Sequence, residues 1–88
     1  VGDGNFHFGY LIDPDDADER AKGEALSHSL VARALDMGGT CTGEHGVGIH
    51  KMDFLLQETG DGAVDMMRAI KRALDPKNIL NPGKIFAL

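Results

Sequence analysis

Phe6-His7-Phe8-Gly9-Tyr10-Leu11-Ile12 is a segment with a period of two, in which every even-numbered position carries a large apolar side chain. Such alternation is typical of a β-strand with one buried face. We therefore predict a strand here, with the aromatic side chains on its core face and His7 on the opposite face. A second, shorter strand is predicted for residues 40–44, where Thr40 and Thr42 are β-branched.

Helical spacing of apolar residues dominates the rest of the chain. Residues 16–37 carry apolar side chains three and four positions apart, and Gly38-Gly39 ends this helix. A second helix is predicted around residues 49–56 and is closed by Gly60. A third helix is predicted for residues 61–74, with an aspartate as its N-cap. The resulting order β-α-β-α-α indicates an α+β chain.

Composition and charge limit the classes of partner. The 88 residues carry a formal net charge of −5 and no run of basic side chains. We expect no nucleic-acid partner, since phosphate neutralisation needs clustered lysine and arginine. Cys41 is the only cysteine, so no internal disulfide can form and we expect a reducing, cytoplasmic compartment. No apolar stretch approaches the ~20 residues that span a bilayer, so no transmembrane segment is predicted.

Two glycine-rich clusters carry side chains that could bind a metal or move a proton. Gly2-Asp3-Gly4-Asn5-Phe6-His7 holds one imidazole, and Gly43-Glu44-His45-Gly46-Val47-Gly48 holds a carboxylate beside another imidazole. Imidazole and carboxylate are ligands of divalent metals and also common general bases. We interpret the clusters as two halves of one site. Because side chains alternate along an extended chain, Glu44 and His45 should point apart, one toward a metal and the other toward a substrate.

Each of these residues also has an ordinary structural explanation. His7 could be a half-buried strand histidine bonded to a carbonyl, and Glu44 could be a surface carboxylate or an ion-pair partner. We favour a functional interpretation because His7 follows Asn5 by two residues in a glycine turn, and because glycines flank the pair formed by Glu44 and the next histidine. Familiar nucleotide-binding motifs do not explain the second cluster. Gly43-x-x-Gly46-x-Gly48 has the wrong order for a dinucleotide fingerprint, and no Lys-Ser/Thr follows to make a P-loop.

Three motifs together resemble the closing part of the FAD-linked oxidase family, which includes D-lactate dehydrogenases, D-2-hydroxyglutarate dehydrogenases and the flavin subunit of glycolate oxidase. The motifs are Gly2-Asp3-Gly4-Asn5-Phe6-His7, Thr42-Gly43-Glu44-His45-Gly46-Val47-Gly48, and Leu74-Asp75-Pro76 through Asn81-Pro82-Gly83-Lys84. The resemblance covers the whole chain. It implies that residues 1–88 are the C-terminal part of a substrate-binding (cap) domain and that the FAD-binding domain lies outside them. The implied fold is a β-α-β-α-α fragment of a ferredoxin-like cap domain with a helical C-terminal tail.

The resemblance also implies roles for individual side chains. His7 matches the second histidine of a His-x-Gly-Asp-Gly-Asn-x-His motif, a metal ligand in the members that bind metal, and its partner histidine would lie immediately before Val1. Glu44 matches a further metal ligand, and His45 matches the histidine proposed as the catalytic base. The implied metal is a divalent ion of the zinc or manganese type.

Two asparagines match positions near the flavin in the family. They are Asn5, in the first motif, and Asn81, in the last motif. The implied organic cofactor is FAD, which the missing domain would hold for the most part.

By this resemblance, the parent protein is a flavin-dependent dehydrogenase. It would oxidise a D-2-hydroxy acid of the lactate, glycolate or 2-hydroxyglutarate type to a 2-oxo acid by hydride transfer to FAD. The implied partners are this small acid and an electron-acceptor protein or a quinone, with the parent either cytoplasmic or peripheral to a membrane. The isolated chain is expected to be inactive and to self-associate. The alternative is a non-catalytic structural or metal-binding module that associates with another subunit.

Overall fold

The computed structural model describes residues 2–88, which contain two long helices, α1 (Ala17–Asp36) and α2 (Met52–Leu74). The helices lie against each other. Segments without regular secondary structure surround them: an N-terminal segment (residues 2–16), a connection (residues 37–51) and a C-terminal tail (residues 75–88).

The described chain is all-helical, so the predicted α+β, ferredoxin-like β-α-β-α-α fold is wrong. Neither residues 6–12 nor residues 40–44 form a strand. Residues 5–12 make no backbone–backbone hydrogen bond with another described residue. A strand needs a neighbouring strand to pair with its N–H and C=O groups. The alternation of side chains places them on two faces but does not provide a strand to pair with. Residues 6–12 have no such neighbouring strand within residues 2–88. The tail after Leu74 is not helical either.

α1 agrees with the helix predicted for residues 16–37, and its end agrees with the predicted stop at Gly38-Gly39. The Asp16 carboxylate caps the helix by accepting the N–H groups of Asp18 (2.9 Å) and Glu19 (3.3 Å). At the other end the Gly38 N–H donates to Leu35 O, and the next glycine donates to the carbonyl of residue 34. This pair of bonds is the Schellman motif, which satisfies carbonyl groups at the last turn.

α2 joins the two predicted C-terminal helices into one interrupted helix. Gly60 has φ 83° and ψ 168°, which is not helical and lies in a region that residues with a Cβ rarely occupy. The predicted boundary at Gly60 is therefore a break inside α2. The first half starts at Met52, so Ile49 lies outside the helix.

The core is small for a chain of this length. The radius of gyration of the chain is 15.4 Å, whereas a compact domain of this size would have a radius of gyration of about 12 Å. The accessible surface is 6885 Å², against about 5000 Å² for a compact monomer of this mass. Many large apolar side chains are exposed, and the buried apolar residues are Cys41, Phe54, Leu55 and Val64. Much apolar surface is thus exposed and could be covered by contact with another protein surface.

We expect the isolated chain to self-associate through the N-terminal segment. Leu11 is fully exposed and Phe8 is 63 % exposed, and an exposed, unpaired apolar segment favours association. Replacing both residues by serine should increase the monomer fraction in sedimentation velocity without lowering the helical circular dichroism. Leu74→Ser, which removes an exposed leucine at the end of α2, is the matched control. A fully monomeric unmodified chain at high concentration in light scattering would contradict this expectation.

The Asp75 carboxylate organises the start of the C-terminal tail. It accepts a hydrogen bond from the Lys71 ammonium, one turn earlier in α2. It also accepts the backbone N–H groups of Ile79 (3.1 Å) and Leu80 (2.9 Å), and Lys71 donates to Leu80 O as well. The hydrogen bond from Lys71, followed by the one from the Leu80 N–H, lowers the pKa of Asp75 to about 2. The ionised carboxylate therefore fixes residues 75–80 against α2.

This low pKa predicts acid-sensitive stability. The folded-state pKa of Asp75 lies below its ordinary value of 3.8, so ionisation of Asp75 favours the folded state. Its contribution is fully present above about pH 4 and is lost as the pH falls through about 2. The melting temperature of the unmodified chain should therefore fall more steeply between pH 5 and pH 2 than that of Asp75→Asn. Parallel curves in thermal melts followed by circular dichroism would show that Asp75 does not contribute.

Candidate metal centre

The structure brings His7, Glu44 and His45 together. The Nε2 atom of His7 lies 2.7 Å from Oε1 of Glu44, and Nε2 of His45 lies 3.6 Å from the same oxygen. The two imidazole rings meet edge to face, with 5.0 Å between centroids and 61° between planes. One ligand atom from each of the three residues lies within 4.8 Å of the others. The two glycine-rich clusters therefore meet in space.

The geometry of this site depends on a tight turn in the glycine loop (residues 42–48). The Gly46 N–H donates to Gly43 O (3.3 Å), and the Thr42 hydroxyl donates to Gly46 O (2.8 Å). Glu44 and His45 occupy the two central positions of this turn. The expectation that their side chains point apart assumed an extended backbone. Because the backbone turns here, both side chains lie beside His7.

The Glu44 carboxylate is held in its anionic form. A hydrogen bond from its own backbone N–H is the largest cause that lowers its pKa, and the hydrogen bond from His7 and the charges of the two histidines add to this. All three side chains are exposed, with 57 % exposure for Glu44 and 66 % and 70 % for His7 and His45. An anionic carboxylate with two accessible imidazoles is chemically able to bind a divalent cation.

The three side chains line a broad open groove of about 1000 Å³. Asn5 lines the same groove and packs against the glycine loop, with its Nδ2 3.4 Å from the position that a Cβ on Gly43 would occupy. Asn81 lies elsewhere, in a pocket of about 230 Å³ bounded by the C-terminal tail and Lys71. Of the two asparagines predicted near the flavin, Asn5 therefore lies beside the site and Asn81 does not line its groove.

One contact with the glycine loop does not follow from the sequence. The Ile85 N–H donates to Gly48 O at 2.7 Å. Nearly every residue type carries a backbone N–H donor, so the identity of residue 85 does not reveal this hydrogen bond. No local pattern could have revealed this contact, because its two residues lie in different segments.

Comparison with known proteins identifies the family. Residues 1–85 match the family described as FAD linked oxidases, C-terminal domain. The chain belongs to the FAD-linked oxidase family. The resemblance of its three motifs to this family is thereby confirmed, and the prediction of an oxidoreductase agrees with the names of its relatives. The family name implies FAD as cofactor.

Several curated proteins are similar to this FAD-linked oxidase chain over its whole length. A probable mitochondrial D-lactate dehydrogenase of Danio rerio is 48% identical over 88 residues, which are 100% of the chain and 18% of that protein. A mitochondrial D-lactate dehydrogenase [cytochrome] of Kluyveromyces lactis is 52% identical over 88 residues, 100% of the chain and 15% of that protein. The glycolate oxidase subunit GlcD of Bacillus subtilis is 44% identical over 87 residues, 99% of the chain and 18% of that protein. The chain thus spans less than a fifth of the length of these relatives.

No helix within residues 2–88 combines the length and apolar character needed to cross a membrane. Two of the three relatives above are named as mitochondrial, which differs from the predicted cytoplasmic compartment.

Proposed function

We propose that this FAD-linked oxidase chain is the C-terminal part of a flavin-dependent dehydrogenase that oxidises a D-2-hydroxy acid to a 2-oxo acid. The substrate class would be that of lactate, glycolate or 2-hydroxyglutarate. Relatives named D-lactate dehydrogenase and glycolate oxidase subunit support the reaction class. The observation that carries the proposal is the cluster of His7, Glu44 and His45, whose ligand atoms lie within 4.8 Å of one another at the edge of an open groove.

The donor set fits a divalent metal of the zinc or manganese type. Imidazole and carboxylate are common ligands of both ions, and the carboxylate here is anionic. His7 and Glu44 would hold the metal, and the exposure of both leaves space for substrate oxygens beside them. A bound divalent ion would act as a Lewis acid that polarises the substrate's hydroxyl oxygen.

His45 is the candidate general base. Its Nε2 lies 3.6 Å from Glu44 and its ring packs against His7, so neighbouring groups restrict the orientation of the imidazole. In its neutral form the imidazole accepts a proton from a hydroxyl group that enters the groove. The nearby carboxylate then stabilises the positive charge that the imidazole acquires. FAD, when bound, would supply the acceptor for the α-hydrogen as hydride.

An electron acceptor would complete the reaction cycle by reoxidising the flavin. One relative is named as a cytochrome-type D-lactate dehydrogenase and another as a subunit of glycolate oxidase. These names support an acceptor protein for the parent, and the quinone stays a prediction. The cytoplasmic or membrane-peripheral location stays a prediction.

The parent protein should reduce its flavin with a D-2-hydroxy acid, and the isolated chain should not. We expect D-lactate, glycolate or D-2-hydroxyglutarate to bleach the flavin of the full-length parent under anaerobic conditions, with L-lactate and L-2-hydroxyglutarate as controls. The pure 88-residue chain with added FAD should turn over none of them, because the main flavin-binding domain would be absent. A parent that binds metal but transfers no electrons from any of these acids would instead support the non-catalytic metal-binding module.

A further inference from the structure

The C-terminal tail contacts the loop that carries Glu44 and His45. The Ile85 N–H donates to Gly48 O at 2.7 Å. Gly48 follows His45 by three residues, and it ends the glycine loop. This hydrogen bond therefore joins the tail to the segment that presents two of the three site residues.

The backbone at Ile85 is strained. The Phe86 N–H donates to Lys84 O (2.8 Å), which closes a three-residue turn around Ile85. Ile85 has φ 71°, close to the value of about +75° for the rare and unfavourable form of the γ-turn. A β-branched residue at positive φ is a genuine outlier, and such strain persists only where surrounding contacts impose it. The contact with Gly48 is one of the contacts that impose this conformation.

α2 holds the tail on both sides of this turn. The Arg68 Nε donates to Ala87 O (2.5 Å), and the same guanidinium pairs with Asp65 at 2.7 Å. On the other side, Asp75 fixes the N–H groups of residues 79 and 80. Ile85 thus lies between two attachments to α2. Its amide is held where it meets the glycine loop.

We propose that the C-terminal tail is a strap that positions Glu44 and His45, with Ile85 and Arg68 as its positioning residues. Arg68 holds the tail, and Ile85 holds Gly48. The glycine loop needs such a restraint, because Gly46 and Gly48 have φ 76° and 56° and glycine adopts many other conformations at little cost. The role of the strap rests on the proposed function of the site, but its effect on the loop can be measured without metal or substrate.

Two substitutions at residue 85 separate the hydrogen bond from the side chain. Ile85→Pro removes the N–H and forces φ to about −65°, so the contact with Gly48 is lost. Ile85→Gly keeps the N–H and tolerates positive φ. In ¹⁵N relaxation of the metal-free chain, Ile85→Pro should lower the order parameters of Glu44 and His45 from about 0.85 to below about 0.6. Ile85→Gly should leave the order parameters of Glu44 and His45 unchanged. In both variants the order parameters of the residues in α1 should also stay unchanged.

A second pair of variants covers the case in which Ile85→Pro unfolds. Arg68→Gln removes the donor to Ala87 and keeps a good helix former in α2. Asp65→Asn removes only the ion pair of Arg68 and is the matched control. Arg68→Gln should loosen Glu44 and His45 and weaken Zn²⁺ binding about tenfold in calorimetric titration, whereas Asp65→Asn should change neither.

The two proposals fail in different ways. If the unmodified chain does not bind Zn²⁺ but the order parameters change as expected, the three described side chains are not sufficient to hold Zn²⁺, and the strap stands. If Glu44 and His45 keep their order parameters in Arg68→Gln and in any folded Ile85→Pro chain, the strap is wrong, whatever the Zn²⁺ titration shows.

Discussion

In the full-length parent, His45→Asn should lower the rate of flavin reduction by about 10²- to 10⁴-fold while the metal content stays nearly unchanged. That range is the usual contribution of a general base to a reaction rate. The structure supports the assignment, because the imidazole of His45 lies at the groove and is 3.6 Å from the Glu44 carboxylate, compared with 2.7 Å for His7. The substitution removes the imidazole that would accept the proton, while His7 and Glu44 would still hold the metal.

Stopped-flow measurement of flavin reduction and elemental analysis of the same samples decide this prediction. His50→Asn is the matched control, since His50 is exposed and lines the same groove but is not in the cluster. This control should retain both rate and metal. If His45→Asn loses the metal instead, His45 is a ligand and the roles within the cluster must be reassigned.

Glu44→Gln should reduce metal affinity by at least about 100-fold and should lower activity in parallel. Glutamine has the same shape as glutamate but no negative charge. Loss of a residue that only orients a ligand typically lowers metal affinity about 10- to 100-fold, and loss of a ligand itself should lower it more. The fold should survive, because Glu44 is exposed. We expect the melting temperature to change by no more than about 4 °C.

Titration of the apoprotein with Zn²⁺ and Mn²⁺ measures this effect, and excess metal should restore part of the activity. Glu24→Gln makes the same chemical change on α1, at another exposed position of the groove, and should alter neither affinity nor rate. Unchanged metal affinity in Glu44→Gln would remove Glu44 from the ligand set.

Several elements could be predicted because their determinants are local. Asp16 caps α1, and Gly38-Gly39 ends it, through contacts within five residues of each helix end. Gly60 interrupts α2 at the predicted boundary for the same reason. The prediction of a strand at residues 6–12 was wrong. Alternation is a property of one segment, whereas a strand also needs a second segment that pairs with its backbone.

By itself, the sequence determined the helices, the family and the residue types of the candidate site, since these follow from caps, spacing and motifs along the chain. Only the tertiary structure decided which side chains meet. The turn at Gly43–Gly46 is local, but it places Glu44 and His45 beside His7 only because the glycine loop and the N-terminal segment meet in the fold. The tertiary structure also decided that Ile85 contacts Gly48 and that Asn81 lies away from the groove. These outcomes depend on contacts between distant segments, which the pattern of any single segment does not contain.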